Sequence, residues 1–293
     1  MEHIGYAFSE GLRHTTRHIK MWFLYWFLNL VAALAVVAPL FFLLQQSLGK
    51  SLYAEELQKQ FQLQYVFELV YAQQGAPALY VFALLSVAAV YLFLQIFLSG
   101  GVLYLFNHED VKFSFAEFFH GAGRYFWRFF RFFIISLLMY GLYFFLYRKF
   151  AGILNGYVKG SIDEPSVVMM SWLKFGLFML GFWGLHTYLT YVKVGLVAED
   201  NPGVFRQLWR SFRVVVSNLF AVFTLALGLL ALGGVLYGLY YLGTFWLSPG
   251  KTMLLWLFLI QQIYILLRVW LQLNTQAAQL TLYKELKSDA LLS

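Results

Sequence analysis

Six stretches of this 293-residue chain are long and apolar enough to cross a bilayer, and that restricts its fold more than any other feature. A helical span needs about 20 mainly apolar residues. The runs fall at about 21–44, 79–106, 129–147, 170–197, 214–243 and 252–273. The third is short if it begins at Phe129, and reaches full length when residues 125–130 count as a partly embedded interfacial turn. Only 12% of the residues are charged, against roughly 25% in soluble domains. That leaves too little polar surface to cover a water-soluble globule, so the chain reads as an all-α integral membrane protein. The first run is longer than the roughly 7–15 apolar residues of a cleavable signal and is expected to remain as span one.

Three basic stripes are set against these runs: Arg13/Arg17/Lys20, Arg124/Arg128/Arg131 and Arg206/Arg210/Arg213. Each has cations at i, i+4 and i+7, a spacing that aligns them along one side of a helix. The stripes start 111 and 82 residues apart, counted from Arg13 to Arg124 and then to Arg206. Two of the return runs end in an acidic doublet, Glu109-Asp110 and Glu199-Asp200, and the last runs into Tyr283-Lys284-Glu285 as a weaker echo. The pattern predicts three helical hairpins, at about 1–110, 111–200 and 201–293, each preceded by a basic amphipathic cytoplasmic helix. All three would point the same way, unlike the inverted repeats of many secondary transporters.

The positive-inside rule orients them. With the N-terminus inside, 14 of the 21 Lys and Arg residues fall on the cytoplasmic side and 7 outside, and both termini are cytoplasmic. A net charge of +7 placed beside apolar segments points to anionic lipid headgroups and not to nucleic acid. The external connections differ. Leu57, Phe61 and Tyr65 are at helical spacing in a Gln-rich stretch and predict an interfacial helix. Residues 150–169 carry Gly152, Asn155, Gly156, Gly160 and Pro165 and read as an irregular loop, while Ser248-Pro249-Gly250 reads as a tight turn.

Each chemically suggestive residue has a plain alternative. The nine stripe cations would contact anionic lipid or a partner chain, but insertion physics alone also places them there. The acidic doublets would hold a metal if their hairpins met, yet acids before a basic helix commonly sit in its first turn and pair with nearby Arg. His186 lies in span four among Trp183, Thr187, Tyr188, Thr190 and Tyr191. An ionisable residue at that depth suggests a proton relay, cofactor ligand or substrate contact, whereas a hydrogen bond from a neighbouring helix would account for it structurally. His14 and His18 are at i, i+4, but Thr15-Thr16-Arg17 between them departs from the metalloprotease pattern and disfavours a cation.

Arg268 in span six would snorkel to the cytoplasmic interface or pair with Glu199 or Asp200. Gln261 and Gln262 on the same run, with Asn29 and Gln95, suit hydrogen bonds between helices. Gly234 and Gly238 have the spacing that lets another helix approach closely. The 32 Phe, 20 Tyr and 9 Trp residues exceed what interfacial belts require, so aromatic packing between helices is expected. Without cysteine, disulfides, thiolate catalysis and Cys-ligated metals are excluded. No nucleotide-binding loop, nucleophile elbow or paired intramembrane carboxylate is present in the sequence.

The segments from Val197 to Arg206 and from Phe113 to Phe119, with the layout of helix, span, return span and Glu-Asp, resemble a group of bacterial six-span membrane proteins. That group includes the membrane domain attached to some glycerophosphodiester phosphodiesterases. The resemblance implies an all-helical membrane fold in the bacterial inner membrane, and it carries over no active-site residue. The sequence identifies no cofactor. It favours a non-catalytic scaffold or accessory subunit that contacts lipids and other membrane subunits. A transporter or lipid-handling protein using His186 and the span-six Gln residues stands as the alternative, and an enzyme on lipid or phosphate substrates as the third.

Overall fold

The computed structural model describes residues 2–48, 76–108, 110–158, 164–201, 203–245 and 251–292. These form eight helices and no strand: α1 (Glu2–Arg17), α2 (Ile19–Leu48), α3 (Ala76–Asn107), α4 (Phe115–Val158), α5 (Glu164–Ala198), α6 (Val204–Ser217), α7 (Leu219–Phe245) and α8 (Lys251–Leu292). Six of them contain segments long and apolar enough to cross a membrane, at Ile19–Pro39, Val81–Asn107, Phe115–Gly156, Pro165–Ala198, Leu219–Phe245 and Leu255–Ser288. The protein is all-α, with the helix lengths and apolarity of a multi-pass membrane protein. Large side chains such as Phe82, Leu138, Trp172 and Phe220 stand exposed along these helices, more apolar surface than a water-soluble monomer presents.

The chain divides into two compact units. One is Met21–Gln95, the other Met1–Lys20 with Ile96–Ser293. In the first, the Tyr91 hydroxyl donates to Asn29 Oδ1 at 2.5 Å, so Asn29 serves as an inter-helix acceptor. In the second, the fully buried residues concentrate where helices end or begin. They come from the end of α3 (Leu98 to Phe106), the start of α4 (Phe118 to Phe129), the end of α5 (Leu189 to Val197) and the end of α8 (Val269 to Leu286). Glycine allows α3 and α4 to meet there, because a Cβ on Gly101 would lie 2.6 Å from the Phe118 carbonyl and one on Gly121 2.5 Å from Tyr104.

Several sequence expectations are corrected. The third stripe has a short helix, α6, but the first is divided between α1, with Arg13 and Arg17, and α2, with Lys20, and the middle stripe has no helix of its own. Arg124, Arg128 and Arg131 lie inside the 44-residue α4. The loop expected over 150–169 is helical up to Val158 and again from Glu164. Gly152 and Gly156 do not break α4, and Pro165 sits in the first turn of α5, where a missing N–H is harmless. Contacts between the two helices outweigh the weak local propensity: the Tyr147 hydroxyl donates to the Lys174 carbonyl at 2.9 Å and Lys174 Nζ to Asn155 Oδ1 at 2.6 Å. α8 continues without a break far beyond residue 273, since α1 covers it. Gly11 of α1 is so close to α8 that a Cβ would lie 2.9 Å from Ala278. The expected helix around Leu57, Phe61 and Tyr65 and the turn at Ser248-Pro249-Gly250 lie outside the described residues.

α7 and α8 pack through stacked rings, Tyr240 on Tyr264 with centroids 4.6 Å apart. The α7 glycine that comes nearest to α8 is Gly233, whose added Cβ would lie 3.1 Å from Leu271, with Gly243 at 3.9 Å from Ile260. Gly234 and Gly238 have no described atom within 4 Å of that position, so their stripe takes no part in this packing.

Candidate functional site

The last residues of α5 gather the charged side chains of three helices. α5 ends with Glu199 N–H donating to Gly195 O at 3.0 Å and Asp200 N–H to Val197 O at 3.1 Å. Asp200 then takes φ 45°, the one positive φ at a non-glycine residue among those described. Asp tolerates this left-handed region better than most residues. The turn sends the two carboxylates to different partners.

Asp200 reaches back to the middle stripe. Arg124 Nη2 lies 2.7 Å from its Oδ2 and Arg128 Nη1 2.5 Å from its Oδ1. The Tyr125 hydroxyl also donates to Oδ1, at 3.2 Å, and both guanidinium groups lie over the Tyr125 ring. Burial pushes the Asp200 carboxyl upward, but the bonds and charges of Arg128 and Arg124 outweigh it and hold the group below its usual range.

Glu199 reaches forward and is nearly enclosed, with 5% of its side chain exposed. Arg210 Nη1 of α6 lies 2.6 Å from Oε2, the Tyr283 hydroxyl of α8 donates to Oε1 at 2.6 Å, and Lys287 Nζ lies 3.4 Å from Oε1. Burial again raises the carboxyl, and the bonds from Tyr283 and Arg210 with the Lys287 charge bring it below its ordinary value.

Beneath this pair is a buried amide. α6 turns Val204, Gln207, Ser211 and Val215 inward, one stripe of a helix. Gln207 Nε2 donates to the Tyr283 hydroxyl at 2.9 Å and to Ser211 Oγ at 3.2 Å, while Asn201 Nδ2 donates to Gln207 Oε1 at 3.4 Å. Gly195 makes room for it, because a Cβ there would lie 2.1 Å from Gln207 Nε2. Sequence reading gave Gln207, Gly195 and Tyr125 no role, and took Tyr283 only as part of the weaker echo that ends the third hairpin. The available signal was Gln207 and Ser211 at i, i+4, on the α6 stripe that excludes the arginines.

The structure thus brings together Arg124, Arg128, Arg210, Glu199 and Asp200. The doublet is not in the first turn of the following helix as expected, since α6 begins at Val204 behind an N-cap at Gly203. Glu109 lies outside the described residues, and Asp110 is exposed. Arg268 is exposed and does not pair with the doublet, whose ion partners are the four cations named. The rest lie elsewhere. Arg13 is 3.5 Å from Glu10, Arg213 lies over the Trp209 ring, and Lys20 and Arg17 are exposed. His186 Nδ1 is 3.0 Å from the Tyr140 hydroxyl of α4, a neighbour-helix bond of the kind an imidazole at that depth needs. Gln261 is exposed and Gln262 half-buried on α8.

His14 and His18 are buried beside Phe106. Among the described residues, no group of three or more His, Cys, Asp or Glu is placed to hold a metal ion.

A second feature adjoins the clamp. A cavity of about 560 Å³ lies between α4 and the start of α6, lined by Arg131, Ile134, Ile135, Asn201, Gly203, Val204, Phe205 and Arg206. Another of about 570 Å³ is walled by Met139, Leu185, Leu208, Trp209 and neighbouring apolar groups, and Phe205 lines both. The outward side of α6 exposes Phe205, Trp209, Phe212 and Val216, which follow one another at helical spacing.

No known family, curated protein or solved structure matches the chain.

Proposed function

We propose that the chain is a non-catalytic scaffold or accessory subunit of a membrane complex, built from three helical hairpins in the bacterial cytoplasmic membrane with both termini inside. The observation that supports this most is the commitment of the doublet. Glu199 and Asp200 are the acids best placed for chemistry, and each is occupied by two cations and a tyrosine hydroxyl. Carboxylates held ionised by such partners are poor general acids and bases near neutral pH. They fasten α4, α6 and α8 to the end of α5. The basic stripes then lie at the inner membrane surface, with the cations that the doublet leaves unpaired toward anionic headgroups. The apolar flanks of the spans face lipid and partner chains.

Proteoliposomes containing the chain alone test this. A scaffold gives the same solute flux as empty liposomes, and His186→Ala changes nothing. Flux that depends on His186, Gln261 or Gln262 would favour transport. Turnover of a phospholipid or phosphate ester that depends on Glu199 or Asp200 would favour an enzyme.

A further inference from the structure

We infer that the cavity between α4 and α6 holds the headgroup of one anionic phospholipid, with Arg131 and Arg206 as the phosphate-binding cations. This rests on the reading that the basic stripes meet the inner membrane surface, and it assigns the contact to two of their nine cations. The doublet removes three of the nine, and of the six it leaves, Arg131 and Arg206 are the two that line this cavity. Asp200 takes Arg124 and Arg128, and Glu199 takes Arg210. Arg131 follows Arg128 on α4 and Arg206 precedes Arg210 on α6, so the two unpaired ends of neighbouring stripes meet at one cavity. Among the described residues neither has an acidic partner. The Arg131 Nε donates only to the Trp127 carbonyl, at 3.2 Å.

The remaining walls decide between anions. Ile134, Ile135, Val204 and Phe205 line the same space as Arg131 and Arg206, and Phe205 also lines the second, apolar cavity beside Met139, Leu185 and Trp209. A soluble anion gains nothing from those walls. A phospholipid uses both parts, its phosphate on the planar donors of arginine and its acyl chains along isoleucine and phenylalanine. The exposed stripe of Phe205, Trp209, Phe212 and Val216 puts the site where headgroups and acyl chains meet. The volume lies within the range of small-molecule sites.

Native mass spectrometry of the detergent-purified chain, titrated with phosphatidylglycerol or phosphatidylcholine, tests the site. One phosphatidylglycerol is expected to stay bound where phosphatidylcholine is lost. Each cation near an anionic headgroup changes affinity about fivefold, so Arg131→Gln with Arg206→Gln weakens retention about thirtyfold. Ile135→Trp fills the cavity, keeps both charges and is expected to weaken retention as well. Lys112→Gln, which removes an exposed cation outside the cavity, leaves it unchanged. The inference is overturned if Lys112→Gln weakens binding as much as the arginine pair, if phosphatidylcholine binds equally, or if inorganic phosphate displaces the lipid. These outcomes read occupancy of one cavity, and the flux assay reads the scaffold proposal, so either can fail alone.

Discussion

Asp200 Oδ1 lies 2.5 Å from Arg128 Nη1, across 72 residues of sequence. This bond ties the end of α5 to the helix carrying the middle stripe, and it sits at the one described non-glycine residue with a left-handed backbone, φ 45°. Charge and conformation are separable here. Asp200→Asn keeps a residue suited to the conformation and removes the ion pairs. The side chain is 47% exposed, so solvent screens the loss to about 1 kcal/mol. Asp200→Ala adds the conformational penalty, about 1 kcal/mol more. Thermal unfolding in a fixed detergent checks the ordering, and equal midpoints for the two variants would contradict it.

Glu199 is the stronger link because it is enclosed. Glu199→Gln removes charge-assisted bonds to Arg210 and Tyr283 and is expected to lower stability by about 2 kcal/mol, more than Asp200→Asn. Its folded carboxyl titrates below the ordinary value of 4.5. A depressed carboxyl contributes stability that is fully present above the unfolded value and is lost as pH falls through the folded one. Unfolding midpoints measured downward from pH 6 should therefore drop below about pH 4.5 in the native chain, and drop less in Glu199→Gln.

His18 adds a separate pH dependence. Burial, then the charges of Arg17 and His14, hold its imidazole below the ordinary value of 6.5. The unfolded chain therefore binds this proton first, and the native state loses stability as pH falls below 6.5. His18→Gln should flatten the profile between pH 6.5 and the carboxylate range. An unchanged slope there would remove His18 from the account.

Two glycine substitutions contrast close approach with simple helix propensity. A Cβ at Gly195 would stand 2.1 Å from Gln207 and 3.0 Å from the Tyr283 ring, whereas at Gly123 nothing described lies within 4 Å. Gly195→Ala should displace the buried amide and cost several kcal/mol. Gly123→Ala should leave stability equal or raise it by up to about 1 kcal/mol. Comparing the yields of folded, monodisperse protein from the two variants decides the point.

Orientation is open to a direct check because the chain has no cysteine. A single cysteine at Ser288, near the end of α8, should resist an impermeant maleimide in intact cells and react after lysis. One at Gly156, near the end of α4, should react from outside. The reverse pattern would invert the topology.

The helices were legible in the sequence because apolar runs of membrane length admit little else. The middle and third stripes were legible because each keeps its charges at i, i+4 and i+7 on one helix, whereas the break between α1 and α2 separates Lys20 from Arg13 and Arg17. The clamp was only half legible. Glu199 and Asp200 stood out as charges, but their partners lie 11 to 88 residues away, and no local pattern specifies which helix ends meet. Gln207 and Tyr283 were hidden for the same reason. A buried glutamine and tyrosine look like surface residues until the helix that covers them is known. Of the loop expected over 150–169, residues 150–158 and 164–169 are helical and 159–163 lie outside the described residues. The Tyr147 and Lys174 contacts between α4 and α5 overrode the weak local signals of glycine and proline.

The most direct measurement is amide hydrogen exchange of the native chain and Glu199→Gln, both in nanodiscs of the same lipid. If Glu199 fastens the bundle, α6 and residues 273–288 of α8 exchange faster in the variant while the α4–α5 contact around Tyr147 and Lys174 keeps its protection. Unchanged protection in α6 and α8 would mean that the doublet does not hold these helices, and the structural account of Glu199 and Asp200 would be wrong.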